Sequence, residues 1–120
     1  MLGGFKMGKK HVFSVNEIIE KLDELHGRTL TIACMLQIEF EGDSIWHIPK
    51  SERKPGYESS LWANFDYKSL GIAEPQFQKF NGRHVIVSAN VNAKMQGHFS
   101  LWPAEVTIRV IRKLLMSENS

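Results

Sequence analysis

From Leu30 the chain alternates with a period of two. Leu30, Ile32, Cys34, Leu36, Ile38 and Phe40 occupy one phase, and Thr29, Thr31, Ala33, Met35, Gln37, Glu39 and Glu41 the other. Successive strand side chains point to opposite faces, so this stretch predicts one long strand with a firmly apolar face. A dozen residues of strand span roughly 40 Å. That length in a 120-residue chain suits a strand that curls and pairs on both sides, as small barrels require.

The stretch before it changes period. Val15, Ile18, Ile19, Leu22 and Leu25 recur at helical spacing, with Glu20, Lys21, Asp23 and Glu24 mostly opposite. Ser14 and Glu17 form an S-x-x-E capping box, and Phe13 and Ile18 have hydrophobic-staple spacing. Gly27 is a stop signal. Together they predict an amphipathic helix of about three turns over 14–25.

After the long strand, Gly42-Asp43 signals a turn and Ser44 to Ile48 a returning strand. Pro49 to Gly56 is polar and broken by Pro55, which predicts a mobile loop. A third strand is expected over 59–65. Pro75 suits the first turn of a short helix over 76–80, with Phe77 and Phe80 pointing inward. Val85, Val87, Ala89 and Val91 mark a fourth strand over 82–91. Residues 99–102 and 105–111 read as a fifth strand, interrupted where Pro103 removes a ladder donor. One pattern occurs twice: Leu25-His26-Gly27-Arg28-Thr29-Leu30 and Phe80-Asn81-Gly82-Arg83-His84-Val85 both read apolar-x-Gly-Arg-x-apolar. The simplest account is one glycine-turn junction used twice to enter a barrel strand.

The element order resembles the OB-fold, a five-stranded Greek-key barrel. The wording also resembles small uncharacterised bacterial OB-fold-like proteins. The residues that carry this are His26-Gly27-Arg28-Thr29-Leu30, Ile38-Glu39-Phe40-Glu41-Gly42, Leu61-Trp62, Asn81-Gly82-Arg83-His84-Val85-Ile86-Val87 and Asn92-Ala93-Lys94-Met95-Gln96-Gly97-His98-Phe99. The resemblance covers about residues 13–112. It implies a mostly β, OB-fold-like five-stranded barrel with an N-terminal amphipathic helix and a short helix between strands three and four. It brings no catalytic residues with it. The expected organisation is a flexible leader over 1–12, a single OB-like domain over 13–113 and a flexible tail over 114–120.

Composition narrows the function. Hydrophobic residues make up 42% and charged residues 23% of the chain, with a formal net charge of +2. This is ordinary globular composition. It lacks the basic excess of a dedicated nucleic-acid binder without excluding one. A single cysteine, Cys34, forbids an intrachain disulfide and favours a reducing compartment, so a cytoplasmic protein is expected. Its place in the apolar ribbon favours a buried structural thiol. No apolar run approaches the roughly 20 residues that span a bilayer, so no membrane partner is expected.

Candidate chemistry is sparse. The five histidines, His11, His26, His47, His84 and His98, form neither H-x-x-x-H nor H-E-x-x-H, and neither a metal nor a cofactor is expected. Glu39, Glu41 and Asp43 cluster, but alternation turns both glutamates to solvent. There is no G-x-S-x-G and no glycine-rich phosphate loop, so no catalytic residues are assigned and an enzyme is not expected. The candidate binding residues are Trp46 and Trp62, neighbours if the second and third strands pair, with Arg53, Lys54, His98 and Trp102. Arg109, Arg112 and Lys113 can supply further phosphate contacts.

A mixed-sign surface with exposed aromatics suits protein recognition. The leading expectation is therefore a non-enzymatic cytosolic module that binds another protein. An immunity-type protein that blocks a toxin is one form, since small OB-like proteins include such partners. The alternative is a single-stranded nucleic-acid-binding OB-fold protein that stacks bases on its tryptophans. A third possibility is a saccharide or other small ligand at a barrel mouth, against Trp62 or Trp102.

Overall fold

The computed structural model describes residues 5–7, 10–71 and 74–114. In chain order its strands are β1 (Phe5–Met7), β2 (Lys10–Phe13), β3 (Thr29–Gln37), β4 (Ser44–Trp46), β5 (Ser60–Phe65), β6 (His84–Asn92) and β7 (Glu105–Lys113). The short helices are α1 (Val15–Glu20), α2 (Leu22–Leu25), α3 (Tyr67–Leu70) and α4 (Glu74–Phe77). Among the described residues no helix is long and apolar enough to cross a membrane.

The alternating ribbon folds as β3 and closes a barrel. β3 pairs antiparallel with β4 and β6, β4 with β5, and β6 with β7, and a parallel β5–β7 pair completes the ring. The even residues Leu30, Ile32, Cys34 and Leu36 point inward. There they meet Leu61, Val85, Val87, Ala89, Val91, Val106 and Ile108, and all of these are buried. Each large aliphatic side chain so buried stabilises the fold by roughly 1.5–3 kcal/mol. Burial also pushes the Cys34 thiol well above its ordinary value, as an inert core thiol requires.

The barrel departs from the simple ribbon in two ways. β3 ends at Gln37, three residues before the alternation does, because loop side chains capture the next backbone donors. Asn81 Oδ1 accepts the Ile38 N–H at 2.8 Å, and Asp43 Oδ1 accepts the Glu39 N–H at 3.0 Å. Phe40 therefore leaves the sheet and is 92% exposed. The outer face of β3 is also covered. Thr31 and Ala33 are buried, and Ala33 packs in a second cluster with Val12, Ile48, Met35 and Leu114. Val12 comes from β2, which pairs parallel with β3 where β4 stops short and protects that edge. The packed body thus extends beyond residues 13–113 at both ends. The remainder of the expected leader and the tail from 115 lie outside the described residues, apart from β1, which pairs with β2.

The expected single helix over 14–25 is divided. Ser14 caps α1, its Oγ accepting the Glu17 N–H at 3.2 Å. The Glu17 carboxylate turns instead to His11 Nε2, at 3.1 and 3.2 Å. Lys21 leaves helical geometry at φ −126°, ψ 30° and splits α1 from α2. α1 still lays Val15 and Ile18 into the barrel core. The expected helix near 76–80 is α4 followed by a 3₁₀ turn over Gln78–Phe80. Phe77 is buried there against Phe65 and Tyr67. α3 was not expected. Asp66 caps it by accepting the Ser69 N–H and hydroxyl, and these bonds hold the Asp66 carboxyl below its ordinary range. The fifth strand starts only at Glu105, and residues 98–100 form a 3₁₀ turn instead of strand.

The repeated junction is real and symmetric. Gly27 and Gly82 have φ of +80° and +75°, a region open to glycine at little cost. Gly27 N–H donates to Val91 O while Val91 N–H donates to Arg28 O. Gly82 N–H donates to Leu36 O while Leu36 N–H donates to Arg83 O. Each junction thus clasps the far end of the opposite strand in the β3–β6 pair.

Candidate functional site

The β4–β5 hairpin sets Ser44 opposite Trp62 and Trp46 opposite Ser60. Directly paired residues share a face, so the two tryptophans lie diagonally on one face of the hairpin. Each indole N–H is satisfied locally, Trp46 by Ser44 Oγ at 2.9 Å and Trp62 by Asn64 Oδ1 at 2.9 Å. Trp102 bridges them from beneath. Its ring lies 4.9 Å from Trp62 in edge-to-face geometry and 4.5 Å from Tyr57, which in turn lies 6.3 Å from Trp46. Its N–H reaches Ser60 Oγ at 3.2 Å. A continuous run of rings therefore crosses the hairpin.

Two loops frame this run, residues 38–43 after β3 and 93–104 between β6 and β7. His98 stacks on Trp62 at 6.3 Å between ring centroids, and its Nε2 stands 3.8 Å from Glu41 Oε2 across the gap. Between the loops lies a cavity of about 260 Å³, lined by Phe40, Trp46, Tyr57, His98, Phe99 and Leu101 among others. Phe99 is 79% exposed, and Tyr57 and Leu101 are also open to solvent. Fully burying an aromatic ring of this size is worth roughly 1.5–3 kcal/mol. Phe40 and Phe99 forgo most of that.

The loops also hold unusual backbone. Glu41, Phe99 and Ser100 have φ of +54°, +58° and +55°, which costs a residue with a side chain roughly 1–2 kcal/mol. Gly97 combines φ 73° with ψ −165°, a region essentially restricted to glycine. A Cβ there would meet Trp102 Cε3 and Trp62 Cβ at 2.9 Å. The loop thus lies directly on the two indoles. Glu105 anchors it by accepting the Gly97 N–H at 2.9 Å and the Asn64 amide at 2.9 Å.

The six candidate residues fall into three groups. Trp46 and His98 line the cavity half-buried, and half-buried Trp62 stacks on His98 at its side. Trp102 is only 5% exposed and acts as the floor beneath them. Arg53 and Lys54 lie on the 47–59 loop. The Arg53 guanidinium sits 5.5 Å from the Trp46 ring centroid and its Nε donates to His47 O at 2.7 Å. Burial draws it below its ordinary value, yet arginine remains a cation. Lys54 uses its backbone N–H on Ser59 Oγ, and its side chain is exposed. That loop is tied down through His47, whose Nδ1 accepts the Asn16 N–H of α1 while Nε2 meets Glu52 at 2.8 Å.

Phe40, Tyr57, Phe99 and Leu101 were missed. The first was assigned to the barrel interior by its phase, and Phe99 and Leu101 to a strand. Tyr57 lies just after the stretch read as a polar loop. Glu39 and Glu41 are not strand neighbours but rim the cavity from the 38–43 loop. Among the described residues no group of three or more His, Cys, Asp or Glu is placed to hold a metal ion.

A closed five-stranded barrel with a helical connection before its fourth strand defines an OB-fold-like protein, and the cavity lies on the face and between the loops through which such barrels bind oligonucleotides and oligosaccharides. Comparison with known proteins agrees on the fold. No protein-family model matches the chain, and no curated protein matches it by sequence. A chain assigned as aspartyl-tRNA synthetase from Leishmania major Friedlin superimposes with a TM-score of 0.55 at 14% identity, covering 100% of this chain and 24% of its own. Asparaginyl-tRNA synthetase from Pyrococcus horikoshii gives 0.50 at 18% identity, covering 90% of this chain and 23% of its own. The protein spans about a quarter of each, and the likeness is one of fold.

Proposed function

We propose that the protein is a binding module, not an enzyme, that holds single-stranded nucleic acid by stacking bases in the cleft between the 38–43 and 93–104 loops. The observation that carries this is the exposure of Phe40 and Phe99 around a cavity that half-buried Trp46 also lines, with half-buried Trp62 stacked on His98 of the same lining. Unstacked bases offer flat π-faces to such rings, and each base–aromatic stack is worth about 1–3 kcal/mol. Backbone strain in the loops that present those rings is a second support, because strain persists where function requires it. The two structural neighbours carry tRNA in their names, which is consistent with this reading. Nothing in the fold or the comparisons favours a toxin-blocking role.

Titration of the full chain with an oligothymidylate of about 16 nucleotides, the upper end of what one such barrel occludes, tests it. Tryptophan fluorescence is expected to be quenched at low salt. Phe99→Ala and Phe40→Ala remove exposed rings without touching the core, and each is expected to weaken binding roughly 5- to 150-fold. Absence of quenching by oligonucleotides of any base composition would overturn the reading. Carboxylates on the cleft rim, Glu39 and Glu41, favour a neutral oligosaccharide as a second reading. Quenching by such a sugar, with affinity indifferent to salt, would select it.

A further inference from the structure

The cleft lining itself holds no lysine or arginine for the phosphates of a bound strand, and the nearest cation described is half-buried Arg53 against Trp46. The cleft rim carries Glu39 and Glu41, and carboxylates repel a phosphodiester backbone. A second concavity, about 420 Å³, is built of the opposite material. It is lined by Lys79, Phe80, Arg83 and Lys113, with no carboxylate among these residues. Lys79 Nζ lies 5.2 Å from the Phe80 ring centroid, so one cation already rests against an apolar wall. Lys79, Arg83 and Lys113 are all exposed, and among the described residues no ion pair engages any of them. Three like charges around one groove repel one another, and an anion relieves that repulsion.

The backbone fixes their meeting. Arg83 follows the Gly82 turn, with its carbonyl held by Leu36 N–H and its own N–H on Phe80 O. Lys113 is set opposite Val85 by the β6–β7 register. Asn81, in the same turn, bonds the first residue of the 38–43 loop. The groove and the cleft therefore share a structural element.

We infer that the groove of Lys79, Arg83 and Lys113 is a phosphate-backbone subsite for the strand whose bases occupy the cleft. This rests on the proposed function. Stacking and charge neutralisation would then be carried by different surfaces of one barrel. Each neutralised phosphate on a single strand contributes about 0.7 to the slope of log affinity against log salt, so three cations supply about 2.

The test is the oligothymidylate titration repeated across salt concentrations with Arg83→Gln/Lys113→Gln. The variant is expected to lower the slope by about 1.4 while keeping full tryptophan quenching at saturation. An unchanged slope overturns the inference and leaves the cleft reading standing. Absence of binding by the unaltered chain overturns both. Inorganic pyrophosphate is titrated in parallel, and displacement of the oligonucleotide by pyrophosphate at far lower concentration than the strand's own half-saturation overturns the assignment to a strand backbone.

Discussion

At Gly27 the chain turns from α2 into β3, and at Gly82 it turns from the 78–80 3₁₀ turn into β6. In both places the glycine N–H bonds the carbonyl of the second-to-last residue of the opposite strand, and the following arginine carbonyl takes a bond from that residue's N–H in return. The residue before each glycine extends the likeness. His26 Nδ1 accepts the Ala93 N–H at 3.1 Å, and Asn81 Oδ1 accepts the Ile38 N–H at 2.8 Å. Ala93 begins one loop of the cleft and Ile38 begins the other. The two junctions therefore pin the bases of both loops that frame the candidate site. Their side chains diverge where the backbone does not need them. Arg28 stands exposed and outside the basic groove, whereas Arg83 lines it with Lys79 and Lys113. A repeated backbone device can thus fix two loops equally and still leave one end of the barrel free to gather charge.

The glycines give the sharpest way to break that equivalence. Gly27 and Gly82 share a left-handed φ with open space around a would-be Cβ, so alanine at either should cost about 1–2 kcal/mol. Gly97 adds close contact with Trp62 and Trp102 to a backbone region that only glycine favours, and Gly97→Ala should cost about 3–5 kcal/mol. Thermal unfolding reads these differences at about 4 °C per kcal/mol. Cys34 gives an independent readout. It is wholly buried with its thiol pushed up by desolvation, so alkylation of the native state requires unfolding and should accelerate in the same order. If Gly27→Ala and Gly82→Ala differ by more than about 1 kcal/mol, the junctions are not the same device.

Much of this was legible in the sequence, for identifiable reasons. The inward faces of β3 and β6 follow from strict alternation, and the twin junctions from a repeated six-residue pattern. Trp46 and Trp62 were read as neighbours on the condition that the second and third strands pair, and β4 and β5 do pair. What escaped depends on partners distant in the chain. Ala33 looks solvent-facing until Val12 and Ile48 cover it, and Thr31, set against Val12 by the β2–β3 pairing, is buried as well. The end of β3 is set by Asn81, more than forty residues away, so Phe40 was read into the core instead of the cleft. Phe99 kept strand phase in sequence, but Gly97 and two residues of positive φ turn that stretch into a loop.

A smaller effect tests whether the junctions serve the loops. His26→Ala and Asn81→Ala each remove one acceptor from a backbone N–H, which is worth about 1 kcal/mol. His26→Asn keeps an acceptor at the same position, as the other junction does, and should recover part of that loss. Hydrogen exchange should separate the pair: His26→Ala should expose the amide of Ala93, and Asn81→Ala that of Ile38. Protection unchanged at both amides would show that the loops are held by other contacts.

The smallest effect on stability carries the clearest functional contrast. Arg28→Gln and Arg83→Gln both replace an exposed side chain whose backbone bonds are untouched, so each should shift unfolding by no more than about 0.5 kcal/mol. Stability thus provides a matched baseline. On that baseline only Arg83→Gln should lessen the salt dependence of oligonucleotide binding, by about 0.7 in slope for one lost phosphate contact. Equal slopes for the two variants would mean that position in the junction, and not membership of the Lys79–Arg83–Lys113 groove, decides what the arginine does. A drop confined to Arg83→Gln would show that two turns with matching hydrogen bonds have been given different electrostatic tasks.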